Sequence, residues 1–236
     1  VPIELENRSD HPTYILTTRP VIDLSRKTTK ARIIINASLR DKLLNTTLNL
    51  KLMIGPNFLP HIAKVIMVFR ENEFVFTIDI SKMFFQIKLK KESDKDMLRY
   101  LWKDFDDPGR PKMYRFTVLP FGLVSSPCQT IWCLRETAKR FEKEYPEAVK
   151  AILENLYMDD LAIGASTLAK ATKLLDDLLL IINEAGFKGH KITANDPRIT
   201  EHLDTELLDK SEEIKILGLK LNNKTETFHF DLDEKF

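Results

Sequence analysis

Three carboxylates in this 236-residue chain stand where a charge is hard to accommodate. Phe74-Val75-Phe76-Thr77-Ile78-Asp79-Ile80 alternates with the period of a strand, so Phe74, Phe76, Ile78 and Ile80 share one face and Val75, Thr77 and Asp79 the other. The four large apolar groups are expected to pack on helices, with Asp79 on the opposite face near the strand's end. An unpaired carboxylate there is costly unless it finds a cation, donors or water. Taken singly, Asp79 also reads as an acid salt-bridged at a strand terminus. The other two acids lie in Tyr157-Met158-Asp159-Asp160, between the apolar segments Leu156-Tyr157-Met158 and Leu161-Ala162-Ile163. The chain carries its own controls: Asp106-Asp107 falls in a polar loop and Asp176-Asp177 on the polar face of a helix, both reading as solvated charge. Two adjacent acids at a hairpin tip repel each other and gain most from a bound divalent cation. Hard oxygen ligands without His or Cys select Mg²⁺, with Mn²⁺ as the alternative. Three carboxylates on neighbouring strands can hold two ions about 3.5–4 Å apart, the arrangement of in-line phosphoryl displacement. The chemistry is therefore two-metal phosphoryl transfer on a nucleic acid, and polymerase and nuclease are both open at this point.

The elements that must position these acids read as follows. Arg32 to Asn36 is a short β-branched strand after a basic loop. Gly55-Pro56-Asn57 is a turn, with Asn57 capping a helix from Phe58 to about Glu71. The segment Phe74 to Ile80 is a strand, followed by Ser81 to Leu89 with alternating polarity. A polar loop, Asp104 to Lys112, precedes a strand from Met113 to Leu119 that Pro120 and Gly122 break. Helices are predicted over Ser126 to Tyr145 and Pro146 to Asn155, a hairpin over Leu156 to Ser166, and a long amphipathic helix over Leu168 to Ala185 stopped by Gly186. Strands Ile214 to Leu221 and Thr227 to Phe230 are joined by Asn222-Asn223-Lys224. Helices and strands mix in an α+β order, without the regular alternation of a doubly wound sheet.

Composition narrows the classes further. The chain is 43% hydrophobic and 30% charged, which disfavours disorder, and no apolar run reaches the ~18 residues of a bilayer span, so no membrane partner is expected. Two cysteines, Cys128 and Cys133, make neither a disulfide framework nor a zinc cluster, and an intracellular setting is expected. Seven glycines and no GxGxxG or GxxxxGK[ST] disfavour a dinucleotide fold or P-loop. The net charge of +1 is unevenly spread: residues 1–60 carry nine basic and five acidic side chains, residues 81–115 ten and six, and residues 196–236 six and eleven. The two basic stretches flank the apolar strand and suit a phosphate backbone, although mixed charge also simply solvates a surface. The first residue is Val, so the chain is expected to be cut from a longer one.

At these residues the sequence resembles a reverse transcriptase. Tyr157-Met158-Asp159-Asp160 is similar to the family's YxDD motif, Phe76-Thr77-Ile78-Asp79-Ile80-Ser81-Lys82-Met83-Phe84 to its first aspartate motif, and Leu119-Pro120-Phe121-Gly122-Leu123 with Ser125-Ser126-Pro127 to its LPFG…SP motif. Ala185-Gly186-Phe187-Lys188-Gly189-His190-Lys191 falls where the family has its lysine-bearing loop, and Ile216-Leu217-Gly218-Leu219 resembles the primer grip. Gly55-Pro56-Asn57-Phe58-Leu59-Pro60, Leu98-Arg99-Tyr100-Leu101-Trp102 and Thr28-Thr29-Lys30-Ala31-Arg32 resemble the Bel/Pao class of LTR retrotransposons. The resemblance implies a right-hand polymerase fold of fingers (1–54 and 90–119) and palm (55–89 and 120–236, with the primer-grip hairpin), the antiparallel palm sheet packed on helices and the thumb largely absent. It implies an RNA-directed DNA polymerase with two Mg²⁺ held by Asp79, Asp159, Asp160 and the carbonyl of Ile80. Arg32, Phe84, Phe121 and Gly122 would bind the nucleotide, Phe84 being the ring under the sugar. Lys191, with Lys188 as competitor, would protonate the leaving pyrophosphate, and Leu217 and Gly218 would contact the primer. The implied partners are a primed RNA or DNA template, dNTPs and the thumb and RNase H segments of a polyprotein, in a cytoplasmic virus-like particle.

Two features depart from the family pattern. Asn36 stands where related elements carry Asp, and Gly189-His190-Lys191-Ile192-Thr193 is an unusual form of its loop. Eighteen residues follow Gly218, too few for a thumb, so a polyprotein fragment or domesticated remnant is expected. The competing reading is a non-catalytic nucleic-acid-binding or scaffold module on the same fold; a nuclease is disfavoured by the LPFG and primer-grip segments.

Overall fold

A computed structural model describes residues 2–3, 13–22, 31–40, 45–104, 106–209, 214–217, 219–222 and 227–230. In chain order the strands are β1 (Pro2–Ile3), β2 (Ile15–Ile22), β3 (Ala31–Asn36), β4 (Phe74–Ile80), β5 (Arg99–Trp102), β6 (Lys112–Arg115), β7 (Leu156–Tyr157), β8 (Asp160–Ala165), β9 (Gly189–Ala194), β10 (Ile214–Ile216), β11 (Leu219–Asn222) and β12 (Thr227–Phe230). The α-helices are α1 (Leu48–Lys51), α2 (Ile62–Arg70), α3 (Glu92–Asp96), α4 (Ser126–Lys139), α5 (Pro146–Asn155) and α6 (Leu168–Glu184). The chain divides into two compact units, Val1–Pro56 with Phe84–Thr130, and Asn57–Met83 with Ile131–Phe236. No described helix is long and apolar enough to cross a membrane.

The second unit is built on an antiparallel sheet of order β7-β8-β4-β9. The strand β4 runs over the predicted span, and Phe76, Ile78 and Ile80 on one of its faces are fully buried. Helix α6 covers that face. Its Thr167 side chain caps the N-terminus, accepting from the Lys170 N–H, and Leu174, Leu175, Leu178, Ile181 and Ile182 recur at helical spacing on its buried side. Gly186 ends it at φ +78°, with open space around its Cα, so the backbone conformation alone asks for glycine there.

The opposite face of β4 is covered as well, which the alternation pattern did not show. Val75 and Ala162 pack with Val65 and Phe69 of α2 and with Ile214 and Ile216. The covering layer differs from its predicted form in two ways. Helix α2 starts at Ile62, not Phe58: Pro60 biases Leu59 to extended backbone, and Asn57 accepts instead from the Leu59 N–H at 3.0 Å. The single strand predicted over Ile214 to Leu221 is two antiparallel strands with Ile216 opposite Leu219, and Leu217 turns the chain at φ +48°. Folding back lets Leu219 and Leu221 join the same apolar cluster, and β12 completes a three-stranded sheet with Phe228 tilted on Phe69. The predicted loop after Phe187 is also strand, β9, whose irregular register hides its period. Helix α4 ends at Lys139, six residues short of the predicted end, and the chain continues in tight turns.

The first unit carries a five-stranded sheet of order β1-β6-β5-β2-β3, with β2 and β5 parallel and the other pairs antiparallel. Its core is Leu16, Ile35, Ala37, Leu48, Leu98 and Leu123. Strand β2 has no signature in the sequence, because Thr17, Thr18, Arg19 and Pro20 interrupt any alternation. Among the described residues β5 pairs with β2 at Ile15 and Leu16 and not at Pro20, where a strand proline is tolerated. The predicted strand Met113 to Leu119 is shorter as β6; beyond it the Leu89 N–H donates to the Thr117 carbonyl and the Leu119 N–H to the Ile87 carbonyl, each at 2.9 Å. Asp96 is 5% exposed and accepts from Arg99 and Arg115, each at 2.9 Å, a buried charge held by two guanidiniums.

Candidate active site

Sheet register brings the three acids together. Asp79 on β4 lies directly opposite Asp160 on β8, and residues paired in this way have Cα atoms about 4.5–5.5 Å apart with side chains on the same face. Asp159 sits in the turn of the β7–β8 hairpin, where Tyr157 pairs with Asp160 and Met158 takes φ +57°. The turn is tied to β4 by the Ile80 N–H, which donates to the Asp159 carbonyl at 2.7 Å. Both acids of the hairpin are thus fixed at the end of β4 by main-chain bonds, without reliance on side-chain packing.

On its other flank β4 meets a bulge. Asp79 pairs with His190 and Thr77 with Thr193, so two residues of β9, Lys191 and Ile192, oppose the single Ile78. In a regular strand His190 and Thr193 would face opposite sides. The extra residue puts both on the face of Asp79 and Thr77: Thr193 Oγ1 lies 2.6 Å from Thr77 Oγ1, and His190 Nδ1 lies 3.2 Å from Asp79 Oδ1 and 3.0 Å from the Asp79 carbonyl. Lys191 takes the left-handed conformation at φ +47° and its Nζ donates to Asp79 Oδ2 at 3.1 Å. Both oxygens of Asp79 therefore have a nitrogen neighbour. Lys188, in contrast, is exposed, and its carbonyl accepts from the Ser81 N–H at 2.8 Å.

The hairpin acids are less well compensated. Burial pushes the Asp160 carboxyl up to about 6, and the charges of Asp159 and Asp79 push the same way, with Lys191 opposing. Asp159 is exposed, yet loss of hydration raises its carboxyl, with a further rise from Asp79, while a bond from its own backbone N–H and the charges of Lys191 and His190 pull it down. Negative charge without an adequate counter-charge, presented only by oxygen donors, fits a hard divalent cation. Among the described residues no group of three or more His, Cys, Asp or Glu is placed so that it could hold a metal ion.

The remaining predicted residues fall into other places. In the first unit Phe84 and Phe121 meet edge to face at 4.8 Å, and Phe85 contacts Phe121 at 5.1 Å, with Phe121 44% exposed. Gly122 takes φ +95°, and a Cβ there would lie 2.3 Å from the Ile35 carbonyl oxygen of β3. Its close approach is thus to protein backbone. Arg32 lies on β3 opposite Val21, and its side chain is outside the described residues. In the second unit Ile80 ends β4 beside Asp159. Leu217 packs against the apolar cluster under β4, and Gly218 lies outside the described residues. Sequence reading missed His190 and Thr193 as neighbours of the acids, because a bulge breaks the period that would have placed them.

An antiparallel sheet thus brings three acids together from a strand and an adjoining hairpin. A family model described as "Reverse transcriptase (RNA-dependent DNA polymerase)" matches residues 24–221, and the chain belongs to that family. Among solved structures it is similar to a foamy viral protease-reverse transcriptase in complex with double-stranded DNA (TM-score 0.58, 19% identity, 91% of this chain and 31% of that one). It is likewise similar to a foamy viral protease-reverse transcriptase in complex with an RNA/DNA hybrid (TM-score 0.58, 18% identity, 90% of this chain and 23% of that one). The chain thus spans less than a third of either viral protein. No curated protein matches the sequence.

Proposed function

We propose that this chain is the fingers and palm of an RNA-directed DNA polymerase that adds dNTPs to a primer 3′-hydroxyl, with residues 1–54 and 90–119 as fingers and 55–89 and 120–236 as palm. The observation that carries the reading is the register of Asp79 against Asp160, with Asp159 tied to the end of the same strand. Asp79, Asp159 and the Ile80 carbonyl would hold two Mg²⁺ ions, or Mn²⁺, with Asp160 as a weaker outer ligand. When bound, such ions lower the pKa of a hydroxyl and stabilise the charge on attacking and leaving oxygens. The protein's own groups do the rest. Lys191 Nζ, released from Asp79, holds the proton for the leaving pyrophosphate. The Arg32 guanidinium suits paired triphosphate oxygens. Phe84, braced by Phe121, lies under the sugar and rejects a 2′-hydroxyl by volume. Leu217 and Gly218 contact the primer. The Bel/Pao-like segments support a retrotransposon polyprotein as the source, working in a cytoplasmic virus-like particle with the polyprotein's thumb and RNase H parts.

Primer extension on RNA and DNA templates tests the proposal, with a thumb-containing reverse transcriptase as positive control. Wild-type protein is expected to extend in Mg²⁺ or Mn²⁺, and Asp159→Asn to abolish extension while its circular dichroism and melting stay native-like. Absence of extension by wild type under all these conditions would favour the scaffold reading, and near-wild-type activity of the variant would remove Asp159 from the metal site.

A further inference from the structure

Asn49, on the four-residue helix α1, makes more connections than its position explains. Its Nδ2 donates to the Gly122 carbonyl at 2.9 Å and to Ser38 Oγ at 2.8 Å, and its Oδ1 accepts from the Val124 N–H at 3.0 Å. Its own N–H donates to the Ala37 carbonyl at 3.1 Å. The amide orientation is unambiguous, because Gly122 O can only accept and Val124 N–H can only donate. A carbonyl at one residue and an N–H two residues later is what a neighbouring strand reads from its partner. The carboxamide of Asn49 therefore stands in for a strand residue beside Leu123, and clamps the Phe121–Val124 backbone.

The clamp reaches β3 through one more link. Asn36, the residue that departs from the family pattern, accepts from the Ser38 N–H at 3.0 Å and shapes the turn after β3, which presents Ser38 Oγ to Asn49. Gly122 itself rests against the Ile35 carbonyl. The end of β3 and the Phe121–Gly122 loop are thus locked together through one side chain. On the function proposed above, these two segments carry Arg32 for the triphosphate and Phe121, which braces the Phe84 ring under the sugar.

We infer that Asn49 is a positioning residue for the incoming nucleotide: it sets the placement of the Phe121–Gly122 loop relative to the strand that bears Arg32. It touches no substrate. Aspartate has the same shape but offers only acceptors, so Asn49→Asp turns the donor end into an oxygen facing the Gly122 carbonyl. The Ser38 hydroxyl can turn to donate to the new carboxylate, but the lost bond to the Gly122 carbonyl and that repulsion predict a rise in dNTP KM of about ten-fold, with kcat and template-primer affinity within about two-fold. Ser38→Ala, which removes one of the bonds, is expected to raise KM by only a few-fold.

Steady-state extension on a fixed template-primer gives the first readout. Raised KM at near-constant kcat supports positioning. A fall in kcat at unchanged KM is what a merely structural residue would produce through a smaller active fraction, and it overturns the inference. The second readout needs no activity. Amide hydrogen exchange in Asn49→Ala should accelerate at Val124 about ten-fold or more, while Leu119, whose N–H donates to the Ile87 carbonyl at 2.9 Å, stays protected. Unchanged Val124 exchange overturns the clamp. If Asn49→Ala does not fold, the same exchange experiment on Ser38→Ala, with a smaller acceleration expected, decides the point. Wild-type protein that extends no primer defeats the polymerase reading; Val124 exchange still decides whether the clamp exists.

Discussion

Replacing Gly122 by alanine isolates one close approach in the first unit. A Cβ at this position would lie 2.3 Å from the Ile35 carbonyl oxygen, and both partners are backbone, so no side chain can swing aside. Carbon and oxygen in contact sit about 3.3–3.6 Å apart, so the loop must retreat by roughly 1 Å. That movement also stretches the 2.9 Å bond from Asn49 Nδ2 to the Gly122 carbonyl. The φ of +95° adds a dihedral cost for any L-residue. Counting about 1–2 kcal/mol for the backbone conformation and about 1–3 kcal/mol for overpacking, the loss is about 4 kcal/mol. Gly186→Ala is the control, because φ is +78° there and nothing lies within 4 Å of the added carbon; only the dihedral part, about 1–2 kcal/mol, remains. The chain has two tryptophans, and they fall in different units, Trp102 in the first and Trp132 in the second. Urea unfolding of Gly122→Ala on a Trp132→Phe background therefore reports the first unit, and Gly186→Ala on a Trp102→Phe background reports the second. With m of about 2 kcal/mol/M the midpoint should fall by about 2 M for Gly122→Ala and by less than 1 M for Gly186→Ala. Equal shifts would refute the reasoning, since the loop would then be free to slide off β3 without cost.

Other expectations concern charge and thiol chemistry. Asp96→Ala leaves the buried Arg99 without its carboxylate while Arg115 keeps Glu92, and removing one partner of a buried ion pair costs about 3–5 kcal/mol, here an upper bound; a Trp102-monitored midpoint within error of wild type would contradict this. Asp79→Ala should stop primer extension and also weaken Mn²⁺ binding measured by electron paramagnetic resonance, whereas unchanged binding would place the ion elsewhere. Burial raises the Cys133 thiol above its ordinary value, so the reactive thiolate is scarce at neutral pH and accumulates only as pH climbs through the raised value. Labelling of a Cys128→Ser variant by a thiol reagent should accordingly be slower than that of free cysteine at neutral pH and rise steeply with alkalinity; equal rates at neutral pH would count against it.

Local chemistry was enough to read the acids and the strand that carries one of them. An alternation as regular as Phe74 to Ile80 has one reading, and an Asp-Asp pair between apolar strand segments differs from Asp106-Asp107 and Asp176-Asp177 by its neighbours alone. Gly186 likewise stopped its helix where it was read to stop, because a left-handed glycine acts within a turn of itself. Other elements depended on partners distant in the chain. The break at Leu217 pays off only against Val65 and Phe69, some 150 residues earlier, and β9 reveals itself only beside β4. The bulge that turns His190 and Lys191 toward Asp79 is a mismatch between two strands, and a mismatch has no signature in either strand alone. The same holds for Asn49, an ordinary polar residue in sequence, whose partners come from segments more than 70 positions apart. Residue types and periodicity thus determined which acids can do chemistry. Tertiary pairing decided which cations, amides and backbone groups face them, because those contacts are set by register between segments that carry no information about each other until the sheet forms.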